Sequence, residues 1–93
     1  MKVEGILPGP PDMHLTTSGQ AVTTFTVLDR ETLTVTYVVT WDELAVMCNS
    51  SLEEESKVRV FGGKKLRWWS TPDGGKRNRE ELTAFRVQLL KET

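Results

Sequence analysis

Lys57-Val58-Arg59-Val60-Phe61-Gly62-Gly63-Lys64-Lys65-Leu66-Arg67-Trp68-Trp69-Ser70 is the stretch on which the fold turns. Val58 and Val60 alternate inward against Lys57, Arg59 and Phe61, the signature of a half-buried strand. Gly62-Gly63 interrupts that alternation where a barrel strand needs a bulge or a sharp bend. The extended pattern then continues to Ser70. Thr71-Pro72-Asp73-Gly74-Gly75 reads as a hairpin loop, and the chain returns in a last strand from about Asn78 to Leu90.

Working upstream, Thr40-Trp41-Asp42-Glu43 fits a capping box, in which the threonine hydroxyl takes an orphan backbone N–H and the glutamate returns the bond. It predicts a short amphipathic helix over about residues 41–52, with Leu44, Met47, Cys48 and Leu52 on its apolar face. Before it lie two runs rich in β-branched and aromatic residues, Ala21–Leu28 and Thr32–Thr40, joined by the polar turn Asp29-Arg30-Glu31 and read as an antiparallel hairpin. A first strand occupies residues 3–7, is stopped by Pro8-Gly9-Pro10-Pro11, and resumes as an extended pattern over 12–16. The order is three strands, a helix, then two strands. It is compatible with an all-β, five-stranded Greek-key OB barrel carrying its helix between strands 3 and 4, although order alone leaves the topology open.

At 93 residues the chain reads as a single domain, 1–93, near the small end of what buries its own core, so self-association would help it. No apolar run approaches the roughly 18 residues of a membrane span, and the N-terminus lacks the apolar core of a secretory signal, which points to the cytoplasm. One cysteine and one histidine, Cys48 and His14, leave no disulfide and no usual zinc constellation, and no nucleophile motif surrounds any serine. Neither metal, cofactor nor catalytic centre is expected. Cys48 reads as core, His14 as a surface or sheet residue, and the acids Glu53–Glu55 and Glu80-Glu81 as solvated charge.

The formal net charge of -1 conceals a sharp division. Residues 57–79 hold eight cations against the single acid Asp73, whereas residues 1–56 hold two against nine acids. A local positive field of that density attracts phosphates. Side chains two apart on a strand share a face, so Lys65, Arg67 and Trp69 project together. Cations that follow phosphates beside an indole that stacks on bases are what a single-stranded nucleic acid requires. Arg59, Lys76, Arg77 and Arg79 extend the basic set, and Trp41 is a further stacking candidate at the helix entry. Trp68, in register with Leu66, reads as a core or subunit-contact residue, and Tyr37 as buried.

Several segments together resemble the bacterial single-stranded DNA-binding proteins: Ser18-Gly19-Gln20-Ala21-Val22, Val38-Val39, Leu44-Ala45, Val58-Arg59-Val60-Phe61-Gly62 and, most specifically, Leu66-Arg67-Trp68-Trp69-Ser70-Thr71-Pro72-Asp73-Gly74-Gly75-Lys76-Arg77. The similarity runs from about Val3 to Leu90. It implies an OB barrel that forms dimers or tetramers, works with other replication proteins and protects exposed strands in DNA replication, recombination and repair. It also implies phosphate contacts from Lys65 and Arg67 and base stacking on Trp69 and Trp41.

Two departures stand out. The hairpin between Leu28 and Val35 is shorter than in typical members, and its expected aromatics appear as Leu33 and Val35. The chain ends at Thr93 without a flexible tail and acidic tip, as in a shortened chain or a compact relative. An alternative follows: a primosome-type or other protein-interaction OB subunit with weakened DNA binding. An RNA-directed module would use the same stacking chemistry.

Overall fold

Pro8-Gly9-Pro10-Pro11 divides the first extended stretch into two strands with different neighbours. In the computed structural model, which describes residues 1–90, β1 (Lys2–Ile6) pairs with β5 (Lys57–Ser70), while β2 (Asp12–Leu15) pairs with β3 (Ala21–Asp29). Proline lacks the N–H a ladder needs, so the segment between them cannot carry one pairing through. The described residues therefore form six strands rather than five, and the helix α1 (Asp42–Ser51) follows the fourth strand, β4 (Thr34–Trp41), not the third; β6 (Lys76–Leu90) completes the set.

The strand order is β1-β5-β6-β4-β3-β2, and a further pairing of Ile6 with Leu28 joins β1 to β3, closing a ring. All pairings are antiparallel except β4 with β6, where Tyr37, Val38 and Val39 stand opposite Glu81, Leu82 and Thr83. At the seam the backbones touch: a Cβ on Gly5 would stand 2.2 Å from the Leu28 carbonyl oxygen. Inside the ring Phe25, Val27, Val38, Val58, Val60 and Leu82 form one buried cluster. Each such side chain contributes roughly 1.5–3 kcal/mol on burial. No helix among the described residues is long and apolar enough to cross a membrane.

The turn between β3 and β4 is longer than expected. The Asp29 carboxylate accepts the N–H groups of Glu31 and Thr32, and Leu33 takes a left-handed conformation with φ of 57°, so β4 starts at Thr34. The capping box does not form either. Trp41 occupies the cap position with no side-chain bond, because the Thr40 hydroxyl is buried and donates to the Thr23 carbonyl at 2.8 Å. Thr23 in turn donates to the Ala45 carbonyl at 2.7 Å, which tethers α1 to the sheet. That tether brings the small Ala45 inward beside Cys48 and Leu52, and leaves Met47 exposed.

Cys48 is fully enclosed, and burial pushes its thiol up to about 11. The folded state therefore favours the neutral thiol. This stabilising preference is complete below the unfolded pKa near 9 and fades as pH rises toward 11. A maleimide at pH 8 is expected to leave Cys48 unmodified in the folded protein and to label it fully in denaturant, by mass spectrometry; labelling at equal rates in both would refute its enclosure.

The bend in β5 occurs at the expected glycines, yet the extra residue lies on the partner strand. Phe61 pairs with Arg86 and Gly62 with Ala84, so Phe85 bulges outward, exposed. Beyond the bulge, β5 and β6 remain paired as far as Ser70 and Lys76, whereas β4 accompanies β6 only at residues 81–83. The far half of this hairpin is thus an arm extending past the ring, and β6 begins at Lys76 rather than Asn78.

Candidate nucleic-acid interface

Residues directly opposite in a ladder share a face, so the strand registers specify which side chains meet. On the arm, Trp69 stands opposite Arg77, Arg67 opposite Arg79, and Lys65 opposite Glu81. Glu81 then pairs with Tyr37 on β4, and Trp41, four residues further along the same face, pairs with Val22 and through it with His14 on β2. One continuous surface results, running from the arm across the ring.

Trp41, Lys65, Arg67 and Trp68 line one groove on this surface, together with His14 and Thr24. A second concavity nearer the arm tip is formed by Trp68, Trp69, Ser70 and Lys76. All three indoles are open, with relative exposures of 39% for Trp41, 58% for Trp68 and 41% for Trp69. The tip is ordered by Asp73, whose carboxyl is held below its usual range by hydrogen bonds from the Thr71 hydroxyl and the Gly75 N–H.

The cations differ in what already holds them. Among the described residues Lys65, Lys76 and Arg77 have no acidic partner. Arg79 donates to Glu81 at 2.9 Å, and its guanidinium carbon lies 4.4 Å from the Tyr37 ring centroid and 5.8 Å from that of Trp69. Arg67 stands 3.9 Å from the same Glu81 oxygen. Arg59 is set apart. It lies on β5 before the bend, beside β1, where its ion pair with Glu4 holds that carboxyl below the ordinary carboxylate range. Seven of the eight expected site residues therefore gather on the arm and the adjoining face, and Arg59 does not.

Three residues depart, wholly or in part, from their sequence reading. Trp68 is exposed rather than core, because the last interior side chain opposite this side of β5 is Leu82, paired with Lys64, and that exposure fits the other half of its reading, a subunit contact. From Leu66 onward the strand has outrun the ring, a consequence of its 14-residue length. Tyr37 is 40% exposed and lies under Arg79. Its spacing of four from Trp41 along one strand already implied a shared face. Glu81 is not solvated charge but 9% exposed at the centre of the basic surface, whereas Glu80 is exposed beside Lys64. Nothing local in the sequence distinguishes the two acids.

No family model matches the chain. It is, however, 32% identical over 97 aligned residues to a protein of Thermotoga maritima named single-stranded DNA-binding protein, an alignment covering 92% of this chain and 69% of that protein. By that relationship the chain belongs to the single-stranded DNA-binding protein family.

Proposed function

We propose that the chain is an OB barrel that binds single-stranded DNA with little sequence preference and without catalysis, tracking phosphates along Lys65, Arg67, Lys76, Arg77 and Arg79 and stacking bases on Trp69 and Trp41. The observation that carries this reading is one open surface on which Trp41 and Trp69 adjoin cations, two of the lysines having no acidic partner among the described residues, with Trp68, on the other side of β5, bordering both concavities. Indoles accept any base by its flat face, so affinity arises without base-edge readout. The exposure of Trp68 supports adding it as a third platform. The closed ring, with one helix among the described residues packed on its core, supports the OB assignment. The family relationship supports work in DNA replication, recombination and repair in the cytoplasm.

Self-association fits the same reading. β1 meets β3 only at Ile6, which leaves the edge of Lys2–Gly5 away from β5 without a strand partner among the described residues. A free edge of this kind is a template for pairing. Exposed Leu33 and Val35, where aromatics were expected, favour weaker DNA affinity than in typical members and keep a protein-interaction subunit as the second reading.

Titration with oligothymidine is the test. Tryptophan emission is expected to be quenched by the single strand and far less by a duplex, with affinity falling steeply as salt rises from 50 to 200 mM, because displaced counterions accompany each phosphate contact. Unchanged emission at low salt would refute the reading.

A further inference from the structure

Glu81 is the acid at the centre of a surface otherwise suited to a polyanion. It is nearly buried, stands opposite Lys65 on one side and Tyr37 on the other, and presents one carboxylate oxygen to both Arg67 and Arg79. Arg79, so held, lies across the Tyr37 ring and within cation–π range of Trp69, while its Nε is buried with no hydrogen-bond partner among the described residues. The carboxylate thus occupies guanidinium donors that suit phosphate geometry, and the guanidinium in turn occupies aromatic faces that suit bases.

We propose that Glu81 is a positioning residue that stands in for phosphate in the free protein. Binding of a single strand exchanges the carboxylate for backbone phosphate at Arg67 and Arg79, and the swing of Arg79 uncovers Tyr37 and the adjoining face of Trp69 for a base. The arrangement keeps two arginines extended in advance, at the cost of one like charge facing the incoming phosphates. It deepens the single-strand-binding reading and rests on it.

The test compares the wild-type chain with Glu81→Gln, a substitution that removes the charge while keeping an acceptor oxygen near Arg79. Glu81→Gln is expected to bind oligothymidine about 3- to 10-fold more tightly at low salt, the effect of removing one unit charge several ångströms from a phosphate in a partly solvated groove. Its salt slope should steepen by about 0.7, one counterion's share on a single strand. Equal affinity and slope, or weaker binding by a variant that melts like wild type, would overturn the proposal. Should the variant not fold, the wild-type chain decides alone. In a 15N-labelled sample the Arg79 Nε–H signal, displaced by the Tyr37 ring current, is expected to move on saturation with oligothymidine. A signal that stays in place while the Trp69 indole N–H shifts would refute the exchange. Wild-type protein that binds no oligothymidine in either measurement would remove the binding reading itself, and the proposal with it.

Discussion

Replacing Trp69 with alanine is expected to weaken oligothymidine binding by about 1 to 3 kcal/mol while leaving the salt dependence unchanged, whereas replacing Lys65 and Arg67 together is expected to weaken binding at low salt and also to lower the salt slope by about 1.4. The contrast follows from what each side chain offers. Trp69 is two-fifths exposed beside Arg77 and carries no charge, so its loss removes stacking area and displaces no counterion. Lys65 has no acidic partner among the described residues, and the 3.9 Å contact of Arg67 to Glu81 is long enough for a phosphate to replace it. Arg59→Ala is the control. Its guanidinium is engaged by Glu4 on the flank beside β1, and the slope should not move. All of these positions are at least partly exposed, so melting temperatures should stay close to wild type. Equal responses from Trp69→Ala, the double variant and Arg59→Ala would show that binding does not use this surface.

Most of this surface was legible in the sequence because β5 obeys simple alternation. Lys65, Arg67 and Trp69 lie two apart on a strand, and no tertiary event can separate their directions without a bulge between them; the bulge falls before them, at Phe61 and Gly62. What was not legible depended on partners distant in the chain. The extended patterns before and after Pro8–Pro11 look like one interrupted strand until their ladders, to β5 and to β3, are known. Thr40 has the chemistry of a helix cap, but its hydroxyl faces the interior and finds the Thr23 carbonyl first. Trp68 resembles a core residue in pattern, and only the length of the ring decides that there is no core beneath it. Glu81 owes its burial to the parallel pairing of β6 with β4, residues more than forty positions apart, which periodicity cannot register.

The bend that aims the arm gives the largest expected effect on stability. Gly62 faces the ring interior opposite Ala84, and its N–H donates to the Met1 carbonyl at 3.0 Å, so β1, β5 and β6 all converge on it. A Cβ there would lie 2.3 Å from the Thr83 carbonyl oxygen, 2.8 Å from its carbon and 2.9 Å from the Ala84 Cα. Those are backbone atoms of the neighbouring strand and cannot rotate away as a side-chain tip would, so the ladder itself must shift. Overpacking of this kind costs about 3 kcal/mol, at the upper end of the usual range. In a domain of this size each kcal/mol moves the midpoint by about 4–8 °C, so Gly62→Ala should melt roughly 10 to 25 °C below wild type. Gly63, one residue on, has nothing within 4 Å of its Cβ position, and Gly63→Ala should melt within a few degrees of wild type. The pair isolates close backbone approach from any general loss of chain freedom in a strand. Thermal melts in which Gly62→Ala tracks Gly63→Ala would mean that β5 and β6 are not held this closely at the bulge, and that something other than this contact sets the direction of the arm.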